Sequence, residues 1–251
     1  MNNNWKLKAI NTAYKKTTET RYFNYIVKPN VINLIGNTKD KTVLDVGCGF
    51  GRYLEILSKH DPSKLVGCDI SEHQIQLCKE SVQNKDIEYY IVDFSDASSS
   101  IALGQNKYDI VYNVLVLLYI ETLDKLKTFI ENCYKCLKKG GKMVICTSDI
   151  KSASFYPEVF NILKLSAKPL TKDNEYTDGC PIQLEIIENC IVTCYQRNFE
   201  TIKQLMEQVG FTDVRKCDLF LEEISLEAFT DKELNIIKKS NIFLFLEAKK
   251  L

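Results

Sequence analysis

The segment Val43–Leu54, with the sequence VLDVGCGFGRYL, constrains the fold of this chain more than any other. Its first four residues form a short apolar run that is typical of a strand buried on both faces. Gly47, Gly49 and Gly51 then interrupt the strand, and the apolar spacing of Tyr53–Leu57 predicts a helix. A glycine turn lets a ligand approach the backbone closely, and free N–H groups at a helix start can bond its polar atoms. The segment therefore predicts a ligand-binding loop.

The spacing of the glycines indicates which ligands suit the loop. A dinucleotide-binding loop has the pattern G-x-G-x-x-G, but here Gly51 comes one residue early and Arg52 occupies the place of the third glycine. The Lys-Ser/Thr pair of a phosphate-binding Walker loop is also missing. A nicotinamide dehydrogenase is therefore disfavoured, although it stays open as an alternative with the same fold.

The segment Val43–Leu54 resembles the cofactor loop of the class I S-adenosylmethionine (SAM) dependent methyltransferases. The resemblance covers roughly residues 41–210. It implies an α/β fold, with a Rossmann-like, doubly wound and mostly parallel seven-stranded sheet, an antiparallel closing strand, and an inserted hairpin and helix cap. It also implies that SAM is the cofactor and S-adenosylhomocysteine (SAH) the product. In the loop we expect cofactor contacts from Asp45, Gly47, Cys48 and Gly49.

A second strand, Leu65–Asp69, ends on a carboxylate. Ser71 then starts a helix, with Gln74 where a capping box places a glutamine. The carboxyl edge of a parallel sheet is where ligands bind in open α/β folds. Asp69 there can accept hydrogen bonds from both hydroxyls of a ribose, and we expect Ile70 and Gln74 beside it to contact the cofactor. The alternative is that Asp69 is only a charge favoured by the helix dipole.

The third and fourth predicted strands carry further candidates at the same edge. Ile87–Val92 is followed by Asp93 and Phe94, and the resemblance implies that these bind the adenine amino group and border the base. A turn aspartate before a buried phenylalanine is the structural alternative. The fourth strand, Tyr108–Asn113, ends at Asn113, which the resemblance places beside the reactive sulfonium.

The N-terminal helices resemble the lid that covers the cofactor in this family. Tyr14, Arg21 and Tyr22 are therefore candidate cofactor contacts, against the alternative that the aromatics are core and the arginine is solvated. We expect Pro29 to separate the second of these helices from a further turn at Val31–Ile35.

The middle of the chain predicts one long helix and a fifth strand. Thr122 is a plausible N-cap for an amphipathic helix, which Lys138–Gly141 should end because cations and glycines suit a helix C-terminus. The fifth strand is predicted at Met143–Cys146.

Beyond Thr147 the pattern changes, and the resemblance implies that this part of the chain covers the substrate. The predicted elements are a helix around Phe155–Leu165, a hairpin of Ile182–Ile187 and Cys190–Tyr195, a helix from an Asn198 cap to Gly210, and two antiparallel closing strands, Val214–Leu221 and Ile242–Ala248. We predict one methyltransferase domain over residues 1–251, with lid helices at 1–36, a cofactor core at 41–147, a substrate cap at 148–198 and closing elements at 199–251.

Composition limits the partners and the location. Lys plus Arg and Asp plus Glu both total 33, so no net field favours nucleic acid or an anionic membrane. The ten cysteines and the polar start MNNNWK favour reduced thiols in the cytoplasm. The apolar run Ile110–Ile120 is too short to span a bilayer. A zinc site of Cys133, Cys136, Cys190 and Cys194 is disfavoured, because Cys133 fits the apolar stripe of its helix. We expect no metal.

The sequence thus predicts an enzyme that transfers a methyl group from SAM to an N or O atom of a small molecule. Because the sulfonium already activates the methyl carbon, positioning of the acceptor can supply much of the catalysis, and no catalytic base is identified. The region Leu219–Ala248 resembles small-molecule methyltransferases of the toxoflavin-synthase and amino-sugar kind. A protein or tRNA acceptor, or a SAM-binding regulatory protein without turnover, are the alternatives.

Overall fold

The computed structural model describes residues 20–83, 86–188 and 190–251. A seven-stranded sheet organises them, in the order β3-β2-β1-β4-β5-β10-β9. Its first five strands are β1 (Thr42–Val46), β2 (Lys64–Asp69), β3 (Glu88–Ile91), β4 (Tyr108–Val114) and β5 (Leu137–Ser148). All pairings among these five are parallel, as the buried apolar runs predicted.

Successive side chains of β1 enter different cores because a strand alternates its faces. Val43 packs in the core that also holds the N-terminal helix, and Leu44 packs in the core on the opposite face. The helices that join the strands are α2 (Arg52–Leu57), α3 (Glu72–Ser81), α4 (Ser99–Leu103) and α5 (Leu123–Cys136), preceded by α1 (Lys28–Ile35). Residues of α1 to α3 lie in the first core and those of α4 and α5 in the second, so the sheet is doubly wound. The predicted Rossmann-like fold is confirmed.

The prediction that Pro29 separates two helices is wrong. A π-helical turn, Phe23–Val27, continues directly into α1, with Pro29 in its first turn. Proline cannot donate a backbone hydrogen bond, so a carbonyl of the preceding turn loses its partner. The carbonyl four residues before Pro29 is that of Tyr25, and Ser225 Oγ donates to it at 2.6 Å. Asn30 Nδ2 also donates to the next carbonyl, that of Ile26, at 2.7 Å.

The strand β5 begins earlier than predicted. Thr122 caps α5 as expected, accepting from Lys125 N at 3.3 Å, but the helix ends at Cys136 and the next residue already pairs in the sheet. Lys138–Gly141, expected at the helix end, therefore lies in the strand. The Lys138 ammonium bonds the carboxylate of Asp109 on β4 at 2.9 and 3.0 Å. This pair between neighbouring strands stabilises Lys138 in the sheet.

The segment after β5 forms a small second sheet with two short helices. Its elements are α6 (Ile150–Ser154), α7 (Glu158–Leu163), β6 (Ser166–Pro169), β7 (Pro181–Ile187) and β8 (Cys190–Tyr195). The strands β7 and β8 form the predicted hairpin, and β6 adds an antiparallel edge that the sequence did not predict. The helix predicted around Phe155–Leu165 is present in shorter form as α7, and the chain turns ahead of Pro157 to separate it from α6.

The C-terminal part completes the main sheet with α8 (Phe199–Val209), β9 (Phe211–Cys217), α9 (Glu223–Ala228), α10 (Asp231–Ser240) and β10 (Phe243–Lys250). Both predicted closing strands belong to the main sheet and pair antiparallel with each other. The strand β10 is also antiparallel to β5, so β10 is the antiparallel closing strand and β9 runs parallel to β5. Gly210 ends α8 with φ +113°, as predicted. Asn198 stands at the N-cap, but its side chain accepts from Gln196 at 3.2 Å and makes no cap bond. Across the described ranges, each helix is too short or too polar to cross a bilayer.

Candidate functional site

A central hollow lies at the carboxyl edge of β1, β2 and β4. Glycine-loop, apolar and aromatic residues line it together with one carboxylate, that of Asp69. The lining residues are Val46, Gly47, Gly49, Cys68, Asp69, Ile70, Gln74, Val92, Phe94, Val114, Leu115, Val116, Tyr119 and Phe129. The sequence predicted a ligand site at this edge of the sheet. The strand order reverses there, between β1 and β4.

Two smaller hollows adjoin the central one. The loop hollow is lined by Phe23, Asp45, Gly47, Cys48, Gly49, Phe50, Arg52, Tyr53 and Val114. The insertion hollow is lined by Tyr22, Phe23, Leu115, Leu118, Tyr119, Ser148, Ile150, Leu165, Leu184, Ile186, Ile242 and Phe243. The central hollow shares the glycine loop with the first and Leu115 and Tyr119 with the second. The three hollows therefore form one adjacent set.

The glycine loop has a conformation that requires glycine. Gly47 and Gly49 have φ +80° and +55°, and the N–H groups of Gly47 and Cys48 both donate to the carbonyl of Cys68, at 2.7 and 2.9 Å. A Cβ at Gly47 would lie 2.4 Å from Val116 Cγ2, so the loop packs tightly there. A Cβ at Gly49 would meet nothing nearer than 3.9 Å, so this part of the backbone borders open space. A ligand can thus approach the backbone at Gly49.

The Asp69 carboxylate is held by the loop itself. Gly49 N donates to its Oδ2 at 3.0 Å, and Ser71 N donates to its Oδ1 at 2.9 Å. Burial raises the pKa of Asp69, and the N–H groups of Ser71, Gly49 and Ile70 lower it in part. Ser71 Oγ in turn caps α3 by accepting from Gln74 N at 3.3 Å. Strand, loop and helix thus fix one carboxylate at the wall of the hollow.

The second carboxylate of the loop, Asp45, is 2% exposed and accepts from Tyr112 Oη at 2.8 Å. Burial raises the pKa of Asp45 to about 8, the Tyr112 hydrogen bond opposes this, and the nearby Asp69 charge adds to it. Asp45 lines the loop hollow. A carboxylate whose pKa burial has raised gains free energy when a cation approaches it.

Known proteins resemble this chain in sequence. Residues 44–145 match a family model described as a methyltransferase domain. A demethylmenaquinone methyltransferase from Bacteroides fragilis is 25% identical over 191 residues, which are 73% of this chain and 73% of the relative. A mitochondrial ubiquinone biosynthesis O-methyltransferase from Dictyostelium discoideum is 31% identical over 140 residues, 51% of this chain and 40% of the relative.

Solved structures agree at the level of the fold. The crystal structure of a SAM-dependent methyltransferase from Mesorhizobium loti covers 93% of this chain and 100% of its own, at 16% identity and a TM-score of 0.65. Residues 44–145 thus form a methyltransferase domain, and the matches support SAM-dependent methyl transfer as the activity of this enzyme. SAM is its cofactor, and the matches support class I of these enzymes.

Two of the predicted adenine contacts of this methyltransferase are placed differently. Phe94 is 2% exposed, lines the central hollow, and meets Phe129 edge-on with ring centroids 5.6 Å apart. Asp93 is not among the lining residues, although Val92 and Phe94 on either side of it are. Its Oδ1 accepts from the N–H and the hydroxyl of Ser95 at 2.9 and 2.6 Å.

Asn113 is fully buried on β4, directly before the lining residue Val114. Its side-chain nitrogen and oxygen both lack a hydrogen-bond partner. A buried amide without partners costs free energy, so such groups in enzymes often mark functional positions. The sequence placed Asn113 beside the reactive centre, and the structure places it next to the wall of the central hollow.

The predicted lid contacts divide. Tyr14 lies outside the described residues. Tyr22 lines the insertion hollow and stacks on Phe243 at 5.7 Å, and burial raises its pKa to about 12. Arg21 lines none of the three hollows: its guanidinium contacts the Ala228 carbonyl and the Phe229 ring, and lies 3.7 Å from Glu233. Contacts with the C-terminal helices thus orient the Arg21 side chain, and its role as a cofactor contact stays a prediction.

Several residues of the loop hollow were not predicted as site residues, and Phe23 and Arg52 are two of them. Phe23 lines it from the N-terminal helix, and Arg52 lines it from the start of α2. The sequence did single out Arg52, but only as a replacement for a glycine. Its position directly after the loop was the available signal.

The structure gives the cysteines a packing role. Cys133 is fully buried in the apolar face of α5, as its spacing indicated. In the ranges 20–83, 86–188 and 190–251, His, Cys, Asp and Glu side chains form no group of three or more with metal-binding geometry.

Proposed function

We propose that this methyltransferase binds SAM across the central and loop hollows and methylates an N or O atom of a small molecule in the insertion hollow. One observation carries the proposal. The central hollow shares Gly47 and Gly49 with the loop hollow and shares Leu115 and Tyr119 with the insertion hollow. The sulfur of SAM joins its nucleoside and its amino-acid chain, so an acceptor has to lie next to both, and Phe23 lines the loop hollow and the insertion hollow alike.

The nucleoside fits the central hollow. Each Asp69 oxygen already accepts one backbone N–H, and an ionised carboxylate has about four acceptor positions, so two hydroxyls of a ribose can still bond it. Ile70 and Phe94 supply apolar walls for the base, and Gln74 borders the same space. Asp93 would reach the adenine amino group after a side-chain rotation away from Ser95.

The amino-acid part fits the loop hollow. Gly47, Cys48 and Gly49 line its floor, and Asp45 presents a buried carboxylate toward a ligand ammonium. The cationic partner favours the ionised form of Asp45, which burial alone disfavours.

Bound SAM supplies a methyl group on a positively charged sulfur, which is already electrophilic. The chain then has to hold the acceptor in line with that methyl group and exclude water, which can provide much of the rate. Leu115 and Tyr119 lie at the junction of the two spaces and so would set this alignment. Asp149, between the lining residues Ser148 and Ile150, accepts from Ser152 and Gln196 at the start of α6, so we assign no catalytic base.

The insertion hollow favours a neutral, apolar acceptor. Among the described residues that line it, Tyr22, Tyr119 and Ser148 carry hydroxyl groups and none carries a charge. Burial of an unpaired charge there would cost several kcal/mol or more. The names of the two relatives, for demethylmenaquinone and ubiquinone biosynthesis, suit an acceptor of the quinol type. The narrower likeness of the tail to toxoflavin-synthase and amino-sugar methyltransferases stays a prediction.

We also propose that residues 1–251 act as one methyltransferase domain, with residues 148–198 as the substrate cap. The insertion hollow supports this, because Leu165, Leu184 and Ile186 line it together with Tyr22 from the N-terminal helix. A cytoplasmic location is proposed as well, since all ten cysteines are unpaired and nine of them are buried.

Turnover can test the function directly. The enzyme is incubated with SAM and a metabolite extract, and mass spectrometry follows SAH formation and the gain of one methyl group in small molecules. Methylation found only in protein or tRNA fractions would overturn the small-molecule acceptor. SAH binding without any methylated product in any fraction would instead indicate a regulatory SAM-binding protein.

A matched pair of variants tests the acceptor site. Leu184 is 5% exposed and lines the insertion hollow, whereas Ile191 on the paired strand is 48% exposed. Leu184→Trp should fill the hollow and reduce methyl transfer while SAH binding is retained, and Ile191→Trp should change neither. Equal activity of Leu184→Trp and the wild type would place the acceptor elsewhere.

A further inference from the structure

The loop hollow has two charged side chains among its described lining residues, Asp45 and Arg52. We propose that Arg52 binds the α-carboxylate of the cofactor while Asp45 faces its α-ammonium, so that the two side chains together recognise an amino-acid zwitterion. This inference rests on the proposed placement of SAM in the central and loop hollows. It assigns a cofactor-binding role to an arginine that the sequence marked only as a missing glycine.

The backbone around Arg52 fixes its position relative to the loop. Gly51, which precedes it, has φ +87°, and a Cβ there would lie 2.2 Å from Cys78 Sγ. The loop therefore turns tightly against α3, and Arg52 is the first residue of α2. Its place at the mouth of the glycine loop follows from this turn.

The N-terminal helix orients the guanidinium. Arg52 Nη2 donates to Asn24 Oδ1 at 2.6 Å, and Arg52 Cζ lies 4.3 Å from the centroid of the Phe23 ring. Phe23 lines the same hollow. A guanidinium has five N–H donors in a planar fork, a geometry that suits a carboxylate. The arrangement thus presents a preoriented cation to the hollow.

Other cations nearby are less suited to the role. Burial lowers the pKa of Lys28, and the nearby charge of Arg52 lowers it further. Lys28 does not, however, line the loop hollow. Arg21 is occupied by Ala228, Phe229 and Glu233. Because Phe23 and Asn24 belong to the predicted lid, Arg52 would also connect lid and cofactor.

Two ligands separate the amino-acid contact from the nucleoside contact. SAH has both parts, whereas 5′-methylthioadenosine keeps the nucleoside and the thioether but lacks the amino acid. Calorimetry would measure the dissociation constants of both ligands for the wild type, Arg52→Gln, Arg52→Lys, Arg21→Gln and Arg215→Gln. Arg215 is the control, because it lies on the outer strand β9 and pairs with Glu247 at 3.3 Å.

Loss of a charge-assisted hydrogen bond should weaken SAH binding to Arg52→Gln about 10- to 100-fold. Binding of 5′-methylthioadenosine should not change, and Arg52→Lys should recover part of the SAH affinity because it keeps the charge without the fork. Arg215→Gln should match the wild type. The proposal is overturned if Arg52→Gln weakens both ligands equally, which would indicate a role in loop structure, or if it weakens neither. It is also overturned if Arg21→Gln shows the SAH-selective loss. Absence of binding of both ligands to the wild type would instead refute the proposed function.

Discussion

Three glycines, two in the glycine loop and one in β5, allow the cost of one added methyl group to be predicted. Gly47, Gly49 and Gly140 all have positive φ, at +80°, +55° and +75°. An added Cβ would meet nothing within 4 Å at Gly140, nothing nearer than 3.9 Å at Gly49, and Val116 Cγ2 at 2.4 Å at Gly47. The three Gly→Ala variants should therefore have the same backbone cost. They differ in the contacts of the new methyl group and in its distance from the proposed ligand.

The shared cost is about 1–2 kcal/mol for positive φ, reduced by about 0.4–1 kcal/mol because alanine restricts the unfolded chain. Gly140→Ala and Gly49→Ala should thus each lose about 1 kcal/mol of unfolding free energy. Gly47→Ala adds overpacking of about 1–3 kcal/mol, so its total loss should be about 2–4 kcal/mol. SAH affinity should stay at the wild-type value in Gly140→Ala but fall strongly in Gly49→Ala, whose methyl group would enter the hollow.

Urea unfolding supplies the stability values, and calorimetry with SAH supplies the affinities. Shortening the contacted side chain provides a rescue, since Gly47→Ala combined with Val116→Ala should lose less than the sum of the two single variants. Equal stability of the Gly47 and Gly140 variants would refute the predicted contact. Wild-type SAH affinity in Gly49→Ala would refute the placement of the ligand against this backbone.

Three further changes have defined outcomes. Asp45 has a pKa of about 8 in the folded protein but about 4 in the unfolded chain, so the free energy of unfolding should fall as pH rises between these values, by up to about 1.4 kcal/mol per pH unit. Asp45→Asn should flatten that slope. Identical dependence of urea unfolding on pH in the wild type and the variant would contradict the raised pKa. Lys250→Met should lower the free energy of unfolding by about 2–4 kcal/mol, because the buried ammonium donates to three oxygen atoms at 2.8 to 2.9 Å. An unchanged urea midpoint would show that these bonds contribute little. Thr122→Ala should lose about 1 kcal/mol with the cap of α5, and Thr122→Ser should restore it in thermal melts; equal melting of both variants would argue against the cap bond.

The main sheet was predictable from sequence because its strands are local signals. Val43 to Val46 form an apolar run that needs no distant partner to be recognised, and Asp69 follows the same kind of run one strand along the sheet. The glycine spacing marked the turn between them. The position of the central hollow then follows from the parallel topology, because it brings the carboxyl ends of the strands together at one edge of the sheet.

Features that depend on distant contacts were not predictable. The N-terminal helix passes Pro29 because Ser225, far along the chain, donates to its turn. Arg21 lines none of the three hollows because Phe229 and Glu233 hold its side chain. The strand β6 is short and half polar, and it is recognised only by its pairing with β7. No local pattern encodes such partners.

Binding of SAH to the wild type and to Asp69→Ala tests the central claim most directly. The account predicts that calorimetry finds one SAH bound per chain with micromolar affinity in the wild type, and at least about a tenfold loss in Asp69→Ala, since two ribose hydroxyls lose a charged acceptor. Equal affinity in both proteins, or no detectable SAH binding to the wild type, would contradict it.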